Sequence, residues 1–437
     1  MRCNALITWS SVLCLALTLP AQEPLGAGPA GRTALNPPRR LTRAEAVQEA
    51  LTRNPALAAA REQVEEAKAG ITIATAWSDP SLVTESDQLT SFFKPHSASE
   101  RDFGLQFTVP FPNRTRLNGR VARATWQQMQ YALTQLQQQT VAQTAQAYDA
   151  ILVALRHHED LLQSQEMSRQ FLEKTEARYR AGTAAKLDVL KARVDLSKTT
   201  NDLIANEHAT TTARAGLNRL LGRPVRSELE PTDTLEVLAA FPDFIALKEL
   251  AINSRPELLS MTVQQDAARD STTLAKQYWM PDLNLTLWRS HIVGAPDSYK
   301  FDGGISLPLL FWQHDKGAIA QARHHERELT ATGADLLNQV MLDVQTTYSA
   351  ATTAWRQATY LRDELLPEAQ AAYKAAFASY SLGGSSALDL LDAKGTLLDA
   401  ESQYTDALGA VNAARADLER AVGASLPPAS PETPHEK

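Results

Sequence analysis

The stretch YRAGTAAKLDVLKA, from Tyr179 to Ala192, returns near the far end of the chain as YSLGGSSALDLLDAK, from Tyr380 to Lys394. Tyr179 and Tyr380, Gly182 and Gly383, Leu187 and Leu388, and Asp188 and Asp389 are each 201 positions apart, so the two copies share one register. Long, alanine-rich polar stretches precede and follow each copy, with Gly at the break and small polar residues leading into Leu-Asp-(Val/Leu)-Leu. Gly turns the chain without steric cost and a fresh helix start follows, so each copy reads as the tip of a long helical hairpin.

Outward from the first tip, Arg120 to Ala181 holds neither Gly nor Pro and is dominated by good helix formers. A helix from about Arg116 to Tyr179 would be ~95 Å long, too long for the core of an ordinary globule. The returning helix runs from about Ala185 to Leu221 and stops at Gly222-Arg223-Pro224. Upstream, Thr42 and Glu45 form a capping box for a short helix to Arg53, and Asn54-Pro55 opens a second that ends near Trp77. Residues 81–90 and 101–110 change to an alternating period, with Phe103, Leu105, Phe107 and Val109 on one side and Gly104, Gln106 and Thr108 on the other. Two strands are expected there.

The plan then restarts. Arg255-Pro256-Glu257-Leu258 matches Asn54-Pro55-Ala56-Leu57, strands are expected over 282–291 and 300–308, and a second long helix runs from about Gln313 to Tyr380. A kink is expected at Pro367. The fold class is therefore mainly α with a small β part. Residues 1–21 read as a signal peptide, 22–40 as a flexible leader, 41–222 as the first repeat, 223–242 as a linker, 243–423 as the second repeat and 424–437 as a disordered tail.

Both cysteines, Cys3 and Cys14, lie in the signal segment, which leaves no disulfide and no Cys-based metal site for the rest of the 437 residues. The net charge of −7 argues against nucleic acid as a partner. No Gly-rich phosphate loop and no Ser-His-Asp arrangement is present, so the chain does not read as an enzyme and calls for no cofactor. His157-His158 and His324-His325 are neighbours on helices, about 100° apart, and adjacent helical residues rarely chelate together; they read as solvated positions.

Four alternating strands cannot close a barrel, and an open sheet in lipid leaves unpaired backbone groups costing several kcal/mol each. Three chains would bring twelve strands, an even number within the range of outer-membrane barrels. The thin apolar stripe of the long hairpins likewise demands lateral neighbours.

The duplicated order of helix, helix, strand, strand, long helix, tip and helix, with YRAG…LDVL and YSLG…LDLL at the tips, resembles the TolC-like outer-membrane efflux family over about residues 41–423. Arg255-Pro256-Glu257-Leu258, Leu307-Pro308-Leu309, Lys316-Gly317-Ala318-Ile319-Ala320 and Leu365-Leu366-Pro367 are more similar to its heavy-metal branch, typified by CzcC. The resemblance implies a homotrimer in the cell outer membrane, a twelve-stranded β-barrel continued by a periplasmic α-barrel of long hairpins. It also implies a periplasmic adaptor and an inner-membrane pump of RND type as partners, with metal cations or small toxic compounds as cargo. A type I secretion duct is a second reading, and a coiled-coil surface protein a weaker third.

In that family two aspartates after the second tip line a periplasmic constriction, and the resemblance puts them at Asp389 and Asp392. Three copies of each would favour cations and raise some of the carboxylate pKa values. The same spacing makes Asp389 the third residue of a capping box with Ser386; the two roles are compatible. Asp188 holds the matching place in the first copy, where Lys191 replaces the second aspartate. Tyr380 matches a tyrosine that ties neighbouring hairpins shut, with the position of Asp188 as its expected partner, and Ser385 stands where an arginine shares that clasp. Arg180, Ala181, Gly182 and Thr183, with Ser381, Leu382, Gly383 and Gly384, match the tips that meet the adaptor. Trp288, Phe301, Phe311 and Trp312 are candidates for an aromatic girdle at the membrane interface.

Overall fold

The computed structural model describes residues 39–87, 100–235, 240–292, 294–306 and 311–426. The signal segment, and the leader up to residue 38, lie outside these residues, as do positions 88–90, 307–308 and 427–437 of the expected strands and tail.

The first two helices begin on side-chain caps. Thr42 and Glu45 close a reciprocal box, Glu45 N donating to Thr42 Oγ1 at 3.2 Å and Thr42 N to Glu45 Oε2 at 2.8 Å, ahead of α1 (Arg43–Arg53). Asn54 Oδ1 accepts from the Ala56 amide at 2.8 Å to start α2 (Pro55–Thr75), while its Nδ2 donates to the Leu220 carbonyl at 2.9 Å. One side chain thus starts one helix and satisfies the open end of another.

The first half continues through β2 (Ser81–Asp87), β3 (Glu100–Val109), the 69-residue α3 (Pro112–Arg180) and α4 (Lys186–Leu220). The second comprises α5 (Phe244–Ser254), α6 (Pro256–Lys276), β5 (Asp282–Ile292), β6 (Ser298–Ser306), α7 (Phe311–Tyr360), a π-helical turn (Leu361–Leu365), α8 (Leu366–Leu382) and α9 (Ala387–Val422). At ~1.5 Å per residue α3 alone spans about 100 Å.

Two short strands lie where the sequence reading has leader and linker: β1 (Arg39–Leu41) pairs in parallel with β4 (Leu229–Pro231). The last two leader residues and the middle of the linker are therefore ordered parts of the fold. Tyr148 of α3, fully buried, donates to the Leu41 carbonyl at 2.8 Å and accepts from the Thr232 amide at 3.2 Å, which fastens this pair to the helices. Ala46, Ala50, Leu217 and Leu221 complete the core around it, and Leu247, Ala251, Leu418 and Val422 build its counterpart in the second half.

Pro367, where a kink is expected, sits in the first turn of α8, directly after the π turn, and Tyr360 and Leu366 on either side of that turn keep helical backbone angles. A π turn carries one extra residue and widens the helix, which relieves the clash a proline ring makes with the preceding turn. The extra residue is visible in the repeat: Tyr148 and Tyr348, Ala154 and Ala354, and Arg156 and Arg356 are 200 apart, whereas beyond the π turn the spacing is 201.

The four long strands form one antiparallel sheet in the order β2-β3-β5-β6, which leaves β2 and β6 as open edges. Its two faces are inverted relative to a sheet in water. Leu82, Phe103, Leu105, Phe107, Leu283, Leu287, Phe301 and Ile305 are exposed, whereas Asp102, Thr286 and Ser290 on the opposite face are buried. Trp288 belongs to the polar face, stacked over Gly104, with Nε1 donating to Asp302 Oδ2 at 2.6 Å. A Cβ at Gly104 would lie 2.5 Å from that indole, so the glycine makes room for it. Trp288 is thus not in a lipid-facing girdle; Phe301 stays on the apolar face, and the side chains of Phe311 and Trp312 lie outside the described set. Among the described residues no helix is long and apolar enough to cross a membrane.

In the helical part α4 packs on α3, α3 on α9, and α9 on α7 and α8. The result is a wall of helices with free faces at α4 and at α7–α8.

Candidate functional site

Both tips turn through glycine in left-handed conformation, Gly182 at φ +77° and Gly383 at φ +85°. At the first, the Thr183 amide and hydroxyl both donate to the Arg178 carbonyl, at 2.9 and 3.1 Å, closing the end of α3; Ala181 is its cap residue and Arg180 extends into solvent. At the second, the Gly384 amide donates to Ser379 O at 2.9 Å, and Leu382 is 90% exposed. An aliphatic side chain so exposed at the end of a hairpin has no partner within the chain.

α9 starts with the box expected for it: the Ser386 amide donates to Asp389 Oδ2 at 2.9 Å and the Asp389 amide to Ser386 Oγ at 3.2 Å. The Ser386 backbone N–H, and then its side chain, hold the Asp389 carboxyl below the usual carboxylate range. Asp389 and Asp392 are exposed, three residues apart on one face of α9. Asp188 is half-buried and accepts from the Ala185 amide at 3.2 Å; with Lys191 it lines a cavity of about 310 Å³ that also touches Arg178, Tyr380, Ser385 and Leu388.

Tyr380 is 2% exposed, and its hydroxyl meets Thr175 Oγ1 of α3 at 2.8 Å, not Asp188. Thr175 spends its own proton on the Phe171 carbonyl at 2.7 Å, so Tyr380 is the donor in this pair. Arg178 of α3 lies over the Tyr380 ring at 4.6 Å and donates to the Tyr380 carbonyl at 2.7 Å. A guanidinium therefore lies against Tyr380, supplied by α3 and not by position 385. Lys174 adds a contact to Ser381 Oγ at 2.9 Å and lies over Phe377 at 4.0 Å. Sequence reasoning missed Lys174, Thr175 and Arg178. The one signal for them was asymmetry between the copies, since Arg178 answers to Ser379 and Thr175 to Ala376.

The histidines are paired singly, His157 with Asp406 at 2.9 Å and His325 with Glu328 at 3.1 Å. Among the described residues no three of His, Cys, Asp and Glu are grouped to hold a metal ion.

Higher on the hairpin, Glu401 of α9 faces Asp160 of α3, and its Oε2 is buried without a hydrogen-bond partner. Burial first, then the charge of Asp160, pushes the Glu401 carboxyl up to about 7, and burial raises Asp160 as well. A carboxyl raised on folding favours the folded state fully below its unfolded value of 4.5 and loses that contribution as pH rises through about 7. Heat stability of the purified protein should therefore fall between pH 5 and pH 8, and Glu401→Gln should flatten part of that fall, the rest coming from Asp160 and from Asp149, which burial pushes up to about 6. Identical pH profiles for the two proteins in thermal melts would contradict this.

A family model described as outer membrane efflux protein matches residues 46–223 and 247–424. The chain belongs to that family. As a member, it is an outer-membrane efflux channel. The chain is 24% identical over 374 residues to the cobalt-zinc-cadmium resistance protein CzcC of Cupriavidus metallidurans, covering 84% of this chain and 86% of that protein. Against the outer membrane protein TolC of Vibrio cholerae it is 26% identical over 294 residues, 64% of this chain and 66% of that one. Its fold is that of the outer-membrane channel OprN, with a TM-score of 0.76 at 19% identity, covering 88% of this chain and 90% of that chain.

Proposed function

We propose that three copies of this chain join edge to edge, β6 to β2 and α8 to α4, into a twelve-stranded barrel in the outer membrane and a helical tunnel in the periplasm. The observation that carries this reading is the inverted sheet: apolar side chains outward, polar ones sheltered, and two unpaired edges that only neighbours can satisfy. Metal cations, or other small toxic compounds, pass through the bore after delivery by a periplasmic adaptor and an inner-membrane pump of RND type. The similarity to CzcC over most of both chains favours metal cargo. The duct itself carries out no chemical step.

The tips meet the adaptor. Arg180, Ala181, Gly182 and Thr183 form one contact and Ser381, Leu382, Gly383 and Gly384 the other, with exposed Leu382 as the apolar anchor. Asp389 and Asp392 of three chains ring the mouth above them, with Asp188 and the Tyr380 clasp setting its closed width. Replacing Leu382 and Thr183 together by alanine should reduce metal resistance of an efflux-deficient host to that of the host alone, with trimers of normal amount in the outer membrane. Full resistance in that double variant would refute the adaptor contact.

A further inference from the structure

All four long strands meet the helices at one end of the sheet; at the other end the chain passes from β2 to β3 through residues 88–99 and from β5 to β6 through residues 293–297. With the helices in the periplasm, that far end lies in the outer leaflet. Alternation runs on to it, but the kind of residue on the apolar face changes. The rows there pass from Leu283 with Ile305, through Leu287 with Leu105 and Phe301, to Arg289 with Phe103 and Tyr299, and last to His291 with Arg101. Two arginines and a histidine thus take places that hold aliphatic side chains lower on the same strands. A cation facing hydrocarbon costs most at the bilayer midplane and little near its surface, so these three mark the level where headgroups begin.

Their arrangement suits an anion. Asp297 fixes two of them: Arg289 donates to its Oδ2 from Nη2 at 2.7 Å and from Nε at 3.1 Å, and His291 Nδ1 lies 2.8 Å from its Oδ1. With Nδ1 engaged, Nε2 is the second donor of a protonated ring. Arg289 and His291 are both exposed, and Arg101 stands directly opposite His291 in the register, where like charges repel across neighbouring strands. One carboxylate against two guanidiniums and an imidazole leaves this corner short of negative charge. The joining segment supplies none, since residues 88–99 contain Lys94 and His96 and neither Asp nor Glu. Toward the same end, the opposite face has the reverse sign, with Glu85, Glu100, Asp102 and Asp302 around Lys300. The sheet therefore sorts cations toward lipid and carboxylates toward the bore.

We propose that Arg101, Arg289 and His291 bind the phosphate group of an outer-leaflet glycolipid whose acyl chains lie along Phe103, Leu105, Leu287 and Phe301. A guanidinium meets phosphate oxygens through paired, charge-assisted hydrogen bonds, and exposed Tyr299 beside Arg289 puts an aromatic ring with a polar tip at the headgroup level. A phosphate monoester on a sugar fits better than a phosphodiester lipid, because its extra charge and third terminal oxygen can serve Arg101 and the Arg289–His291 pair together. Each chain holds one such lipid. This rests on the three-copy barrel above.

Intact trimers in detergent, titrated with bis-phosphorylated lipid A and followed by native mass spectrometry, test it. Wild type should retain one lipid per chain, and Arg101→Gln combined with Arg289→Gln should weaken retention about tenfold. Asp297→Asn removes the competing carboxylate and none of the donors, so it should strengthen retention several-fold, whereas Lys300→Gln, on the bore face, should leave it unchanged. Phosphatidylglycerol at the same concentration should be held less well, and inorganic phosphate should not displace the glycolipid. Wild-type retention in the double variant, loss of retention in Lys300→Gln, equal retention of phosphatidylglycerol, or displacement by inorganic phosphate would overturn the site. Should the double variant yield no trimers, Asp297→Asn decides, and retention there that is unchanged or weaker overturns it. Trimers on a native gel leave the duct reading standing in each of these cases; absence of trimers in the unmodified protein would overturn both.

Discussion

Arg255→Met should lower the stability of the assembled protein by about 2–3 kcal/mol. Arg255 is 7% exposed at the joint between α5 and α6. Its Nη1 donates to the Ala421 carbonyl at 2.9 Å and to Asp343 Oδ2 at 3.0 Å, and Nε lies 3.3 Å from Glu257 Oε2. Methionine fills the same space but takes the donor from the Ala421 carbonyl and leaves Asp343 with Arg420, at 3.6 Å, as its remaining cation. In the first half Asn54 does the corresponding work on the Leu220 carbonyl without any charge. Removing the charge partner as well, in Arg255→Met with Asp343→Asn, should recover part of the loss, because the half-buried carboxylate no longer loses a cation. The midpoint of heat denaturation in detergent measures both. Equal midpoints for wild type and Arg255→Met would show that the joint is held by packing alone.

The second large effect is on conduction. Asp389→Asn combined with Asp392→Asn should cut the cation-over-anion permeability ratio about tenfold, equal to ~1.4 kcal/mol of electrostatic preference at the mouth. Asparagine accepts the same hydrogen bond from the Ser386 amide, so the start of α9 should survive and the change isolates charge from structure. Asp188→Asn should do less, because Lys191 stands beside it where the second copy has Asp392. The reversal potential of single channels across a salt gradient reads the ratio directly. A reversal potential unmoved in the double variant would take the selectivity away from these residues.

Much of this architecture is written in local chemistry. Capping boxes at Thr42 and Ser386, Asn54-Pro55 and the tip glycines mark helix ends because each satisfies backbone groups within a few residues. Alternation marks the strands for the same reason, and it also held the placement of Trp288: counting by twos from Asn284 puts the indole on the polar face, against its choice as a girdle residue. The β1–β4 pair gave no such sign. Three residues are too few to show a period, and their partners lie 190 positions apart, for example Arg39 and Leu229. The surroundings of Tyr380 were half legible: the resemblance singled out the tyrosine, but its partner depends on which helix lies behind α8, and that is a matter of tertiary packing. Thr175 and Arg178 became visible only once α3 was seen to lie against Tyr380.

The π turn at Leu361–Leu365 separates two histories within one helix. A residue gained in a regular helix would rotate everything beyond it by about 100° and turn Tyr380 away from Thr175. Confined to a single widened turn, the gain leaves both ends facing as before. The second half has thereby tolerated a change in length that its twin lacks, and growth or shrinkage at this one level need not be answered by compensating changes in the contacts of Tyr380 below or the four-stranded sheet above.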